Sequence, residues 1–106
     1  MRASTAGPFI TATPDETLEQ IIPKLAKVTG MPVLDAAGRV IGVISRKDII
    51  KVRKAEGSLA DTVGAHMASP AITVEPRTPV KEAADLMLSR KIRRLPVVDA
   101  AGRPLG

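Results

Sequence analysis

A phrase of twelve residues occurs twice in this chain. Met31-Pro32-Val33-Leu34-Asp35-Ala36-Ala37-Gly38-Arg39-Val40-Ile41-Gly42 returns as Leu95-Pro96-Val97-Val98-Asp99-Ala100-Ala101-Gly102-Arg103-Pro104-Leu105-Gly106, always 64 residues later and mostly with identical residues. Such a repeat is one supersecondary unit used twice, each unit too small to bury its apolar face alone. The place to look for function is where the two copies meet.

The repeat extends upstream at an offset of 62. Ile10-Thr11 recurs as Ile72-Thr73, and Pro14 as Pro76. Leu18, Ile21, Ile22, Leu25 and Ala26 correspond to Val80, Ala83, Ala84, Met87 and Leu88. Both sets have the i, i+3, i+4, i+7, i+8 spacing of one apolar helix face. Thr78-Pro79 forms a helix start, with Thr as cap and Pro in the first turn. Pro23 should kink or delay the first helix, because it removes a hydrogen bond.

After each helix, Pro-Val-Leu/Val-Asp reads as a short buried strand. Ala-Ala-Gly-Arg reads as a turn, with Gly38 and Gly102 free to take positive φ. In the first copy Val40–Ile44 completes a hairpin. Ser45 then opens a helix from Arg46 to about Glu56, closed by Gly57. Ser58 to Met67 reads as a connecting helix, with Leu59, Val63 and Met67 spaced by four. Each unit is thus strand–helix–strand–strand–helix, which predicts an α/β layered fold. The expected division is a first repeat over 1–57, a linker helix over 58–67 and a second repeat over 68–106. The second repeat reaches Gly106 without the last strand and helix of the first. The faces those elements would cover carry Val97, Val98, Leu105, Met87 and Leu88.

Composition narrows the chemistry. The 106 residues include no Cys, one His, and Phe9 as the only aromatic. Thiol chemistry is excluded, and His66 has no Cys or second His with which to complete a zinc site. His66 reads as a linker residue. The apolar runs fall far short of the ~20 residues a membrane helix needs. Met1–Pro8 lacks the apolar core of a signal peptide. A soluble cytoplasmic protein is the expectation. The net charge of +5 suits an anionic partner.

The order of elements, the repeated Pro-Val-x-Asp-x-x-Gly-x-x-x-Gly phrase and the segment Gly42-Val43-Ile44-Ser45-Arg46-Lys47-Asp48 resemble a tandem pair of cystathionine-β-synthase (CBS) domains, a Bateman module. Val63-Gly64-Ala65-His66-Met67 also resembles that family's linker. The resemblance covers about residues 9–106. It implies a sensor with no chemistry of its own. Such pairs commonly bind AMP, ADP, ATP or S-adenosylmethionine between the copies, and they act alone or attached to enzymes, channels or transporters. No cofactor is implied beyond the regulatory adenine nucleotide. Two modules commonly pair through their helices, so a homodimer is expected.

The resemblance also places the ligand. Ser45, Arg46 and Asp48 would meet ribose and phosphate, Asp48 as acceptor for the ribose hydroxyls. A helix N-terminus suits an anion on physical grounds as well. The same Ser45 and Asp48 have the spacing of a capping box, and the two roles are compatible. Arg93 and Arg94 would contact phosphate, a task suited to planar multidentate donors. Their counterparts, Thr29 and Gly30, carry no charge, so phosphate binding should be asymmetric. Ile10, Thr11, Gly30, Met31, Pro32, Ile72, Thr73, Leu95 and Pro96 match the adenine pocket, with Val33 and Val97 read as core.

Two other readings stand beside the sensor. Nucleic-acid binding fits the charge, but single-strand binders rely on aromatic stacking platforms that one Phe cannot supply. A purely structural association module with degenerate pockets is the third.

Overall fold

The computed structural model describes residues 10–92 and 95–105. Its elements in chain order are α1 (Leu18–Leu25), β1 (Gly30–Leu34), β2 (Val40–Ser45), α2 (Arg46–Lys54), α3 (Val63–His66) and α4 (Val80–Arg90).

α1 is opened by a reciprocal cap. The Gln20 N–H donates to Thr17 Oγ1 at 3.2 Å and the Thr17 N–H donates to Gln20 Oε1 at 2.8 Å. Leu18, Ile21 and Leu25 are buried. Pro23 does not delay the helix, which starts on its cap, but the helix ends two residues later at Leu25. Without an N–H, Pro23 leaves the Glu19 carbonyl with no helical donor.

β1 and β2 form an antiparallel hairpin, with Gly30 opposite Ser45, Met31 opposite Ile44, and a bulge between Val33 and Leu34. Strand alternation puts Met31, Val33, Gly42 and Ile44 on one face, and all four are buried. They meet α1 and the Ile49–Val52 side of α2 in one core, joined by Ala12 and Val63. The sheet is extended on both sides by single-residue pairings, Ala12 beside Val33 and Ala68 beside Val43. Gly42 is required here: a Cβ would lie 2.7 Å from Met67 Sδ and 2.9 Å from the Ala68 carbonyl.

The second copy repeats the frame. The Ala12 N–H donates to Pro32 O at 3.0 Å and Leu34 N–H to Ala12 O at 2.8 Å; Val74 N–H to Pro96 O and Val98 N–H to Val74 O match them at 3.0 and 2.8 Å. Gly38 and Gly102 close the two turns at φ 82° and 84°, as the sequence predicts. The expected second-copy strands are reduced to bridges, Val74 with Val97 and Val98 with Pro104. In both copies the expected first strand, at Ile10-Thr11 and Ile72-Thr73, is one bridging residue further on.

The two copies bury different residues. α4 has no buried residue, and its Val80 and Leu88 are 86% and 77% exposed. Val97, the counterpart of fully buried Val33, is only half-buried, whereas Val98, expected on an uncovered face, is buried.

Three further expectations are corrected. Ser58–Met67 is not one helix; only Val63–His66 is helical. The residues before it are in use elsewhere: the Leu59 and Asp61 carbonyls accept the Glu19 and Leu18 N–H groups, each at 3.0 Å. They satisfy donors that α1 leaves open at its start, and the Val63 N–H that a continuous helix would give to Leu59 O goes instead to Glu16 O at 2.8 Å. α2 stops at Lys54, and the left-handed residue beyond it is Glu56 (φ 57°), not Gly57. Thr78 does not cap α4. Its Oγ1 accepts the Glu75 N–H at 3.1 Å, and Pro79 stands at the cap.

Candidate functional site

The residues singled out in the first copy gather at one end of the hairpin. Register puts Gly30 beside Ser45, and the Arg46 N–H donates to Thr29 O at 3.0 Å. Thr11 lies next along the sheet, since its neighbour Ala12 bonds to Pro32. Gly30, Pro32 and Ser45 share the half-buried face, opposite the core.

The Asp48 carboxylate organises this end. Its Oδ2 accepts the Ser45 N–H at 2.8 Å and the Ser45 hydroxyl at 3.1 Å. This is the return half of a capping box, so the local reading of Ser45 and Asp48 holds. Only one of the two oxygens is used among the described residues. Oδ1 keeps its lone pairs beside the positive end of the α2 dipole. The group is half-buried, where a carboxylate is better shielded from water than at the surface and a hydrogen bond to it counts for more.

Two of the expected contacts have other work. Met31 is 2% exposed and belongs to the core, because it shares the buried face with Val33. Arg46 turns away from Asp48: its Nε donates to the Leu25 carbonyl at 2.7 Å, closing the C-terminal end of α1. A cation there complements the helix dipole.

Ile10 and Thr11 border a different hollow of about 440 Å³, with Pro23, Lys24 and Lys27. Lys24 Nζ donates to Thr11 O at 2.6 Å and pairs with Glu16 at 3.1 Å. The sequence reading missed both lysines, which have no counterpart in the family phrase. In the second copy, Ile72, Thr73, Leu95 and Pro96 are half-buried, with Val74 bonded to Pro96. No hydrogen bond among the described residues joins this group to Ser45 or Asp48. Arg93 and Arg94 lie outside the described residues. His66 ends α3 with Nε2 2.9 Å from Asp61 Oδ2, and the described residues hold no cluster suited to a metal ion.

The copies touch at their Asp-Ala-Ala-Gly-Arg turns. In each turn an aspartate Oδ1 accepts two backbone N–H groups at 2.9 Å, Ala37 and Arg39 for Asp35, Ala101 and Arg103 for Asp99. The arginine Nε closes each turn at 3.1 and 3.3 Å. The bond from the arginine N–H, above all, holds each carboxyl below its ordinary range, against a smaller opposing effect of desolvation. Arg103 side-chain carbons flank Gly38, and Arg39 carbons flank Gly102.

This frame is shared with known proteins. The CBS domain pattern matches residues 4–55 and 63–106. The chain belongs to the CBS-domain family, as a tandem pair of such domains on a mixed α/β scaffold. An uncharacterised protein of Methanopyrus kandleri is 35% identical over 101 residues, which is 92% of this chain and 52% of that protein. This chain spans about half the length of three curated relatives it matches. Among solved structures, CBS domain protein PAE2072 from Pyrobaculum aerophilum, complexed with AMP, superposes with a TM-score of 0.86. It is 26% identical, over 94% of this chain and 79% of that one. The CBS domain pair of protein MJ0100, in complex with 5′-methylthioadenosine and S-adenosyl-L-methionine, gives 0.83 at 29% identity, over 93% and 82%.

Proposed function

We propose that this chain is a regulatory ligand-sensing module that binds an adenine nucleotide, AMP, ADP, ATP or S-adenosylmethionine, in the cleft between its repeats. The observation that carries the reading is the half-buried Asp48 carboxylate, fixed through Oδ2 and open at Oδ1, at the N-terminus of α2. A rigid acceptor of this kind suits the vicinal hydroxyls of a ribose. The Ser45 hydroxyl and the Gly30 backbone lie beside it, and Pro32 supplies an apolar side of a base pocket. Arg93 and Arg94 are proposed to hold the phosphates. The adenine-derived ligands of PAE2072 and the MJ0100 pair support the ligand class.

The module binds and does not catalyse. Its output passes to an enzyme or transporter that it regulates, in the same chain or a separate one. Such a sensor works where adenine nucleotides are, so the cytoplasm is the compartment this reading implies. No helix among the described residues is long and apolar enough to cross a membrane.

We also read the exposed Val80 and Leu88 of α4 as a surface that a second copy covers, making the module a homodimer. The ligand reading is tested by mass spectrometry of small molecules released from the purified protein, followed by calorimetry with AMP, ADP, ATP and S-adenosylmethionine. Release of an adenine compound, and micromolar binding of one of the four, about −8 kcal/mol, is the expected result. No heat from any of the four at millimolar concentration, on folded ligand-free protein, overturns it.

A further inference from the structure

We propose that Lys24 is a positioning residue of the nucleotide cleft in the first copy, and that the second copy has no equivalent. The proposal rests on the sensor reading above and names a group that shapes the cleft wall. Thr11 belongs to that wall by strand geometry. Ala12 pairs in parallel with Val33, and both side chains are buried in the core. Alternation therefore turns Thr11 to the face it shares with Gly30, Pro32 and Ser45. The backbone alternates too. Ala12 gives both its groups to β1, its N–H to Pro32 O and its carbonyl to the Leu34 N–H. The Thr11 carbonyl and the Thr13 N–H point the other way, off the outer edge.

One ion pair takes both of those edge groups. Lys24 Nζ donates to the Thr11 carbonyl at 2.6 Å, and Glu16 Oε1 accepts the Thr13 N–H at 2.8 Å. Lys24 and Glu16 meet at 3.1 Å. Their side chains are only 33% and 27% exposed, so water screens these bonds less than it screens a surface pair. The helix dipole accounts for a cation in the last turn of α1. It does not account for a reach to one carbonyl 13 residues back. The strand is thus clamped on both edges, by β1 on one side and by the Lys24–Glu16 pair on the other. A wall fixed before the ligand arrives needs no ordering on binding, and that raises affinity.

The repeat supplies the comparison. At the offset of 62, Glu16 corresponds to Thr78 and Lys24 to Leu86. Half of the clamp is kept: the Glu75 N–H donates to Thr78 Oγ1 at 3.1 Å, as the Thr13 N–H does to Glu16. The other half is lost. Leu86 has no side-chain donor, and the Thr73 carbonyl has no hydrogen-bond partner among the described residues. The inner bonds of the two strands match, so the difference is confined to the outer edge. The first cleft has a braced wall and the second does not.

Two measurements on Lys24→Met, which keeps much of the volume and removes the donor, test this. Amide hydrogen exchange on the ligand-free protein should show faster exchange at the Thr13 N–H, because Glu16 loses the cation that holds it. Calorimetry should show adenosine, AMP, ATP and S-adenosylmethionine weakened by one common factor, about tenfold. The strand meets the nucleoside that all four share. Lys24→Arg, which still donates, should recover most of the loss. Lys27→Met removes an equal charge that bonds to nothing among the described residues, and it should change neither readout. A larger loss for ATP than for adenosine would make Lys24 a phosphate contact and overturn the proposal. So would unchanged exchange at Thr13, or a lowered melting temperature with every nucleotide affinity intact. No nucleotide binding by the unsubstituted chain overturns the sensor reading and this proposal together. Binding by the unsubstituted chain that Lys24→Met leaves intact overturns this proposal alone.

Discussion

The Val40 N–H donates to the Gly102 carbonyl at 2.8 Å, a backbone bond between the two copies. By the repeat, Val40 corresponds to Pro104 and Gly102 to Gly38. Pro104 has no N–H, so the reciprocal bond to Gly38 cannot form. The clasp between the turns is one-sided by sequence. Val40→Pro removes this bond and leaves the Gly102 carbonyl without that donor. It should lower stability by about 1–3 kcal/mol, read as a reduced urea midpoint. An unchanged midpoint would show that the turn contact does not hold the copies together.

The turn aspartates set a pH dependence. Asp35 and Asp99 have carboxyl pKa values lowered in the folded protein, chiefly by the Arg39 and Arg103 N–H bonds. A lowered folded pKa contributes stability above the unfolded value, about 4, and that stability is lost as pH falls through the folded value. Melting temperature should therefore fall below about pH 4. The double variant Asp35→Asn with Asp99→Asn should melt lower at neutral pH and show a shallower acid decline. A parallel decline in both proteins would assign the acid sensitivity to other carboxylates.

Gly42→Ala tests the seam between β2 and the linker. The added methyl meets a flexible side chain, Met67 Sδ at 2.7 Å, and a backbone oxygen, Ala68 O at 2.9 Å. Overpacking of this kind costs about 1–3 kcal/mol. Met67→Ala should rescue only part of the loss, because the Ala68 carbonyl stays in place. Full rescue on thermal melting would mean the backbone contact is not limiting.

Much of this was legible because its causes are local. The Asp-x-x-Gly-Arg turns and the Ser45–Asp48 cap need only residues within four positions of each other, and the structure realises both. The helical spacing of Leu18, Ile21 and Leu25 likewise foretells a buried face. The linker was not legible as it stands. Leu59, Val63 and Met67 have helical spacing, but α1 claims the carbonyls of Leu59 and Asp61, a demand from elsewhere in the chain. The motif points Met31 to the pocket, yet alternation with Val33 already places it in the core. Arg46 sits beside Ser45 in sequence and reaches across to Leu25, a contact 21 residues back that no spacing rule reveals.

Assembly has its own measurement. With Val80 and Leu88 of α4 exposed, multi-angle light scattering should give the mass of two chains, and Leu88→Glu should shift it toward one. A monomer at high micromolar concentration, with sharp spectra across residues 80–105, contradicts the dimer.

The central claim is that Asp48 holds a ribose, and calorimetry of Asp48→Ala beside a thermal melt tests it most directly. Asp48 also caps α2 through Ser45, so some loss of melting temperature is expected in either case. The account predicts that affinity for the adenine nucleotide falls as well, by about 1–3 kcal/mol, through lost hydrogen bonds to a charged acceptor. A lowered melting temperature with unchanged nucleotide affinity would reduce Asp48 to a cap and contradict the account.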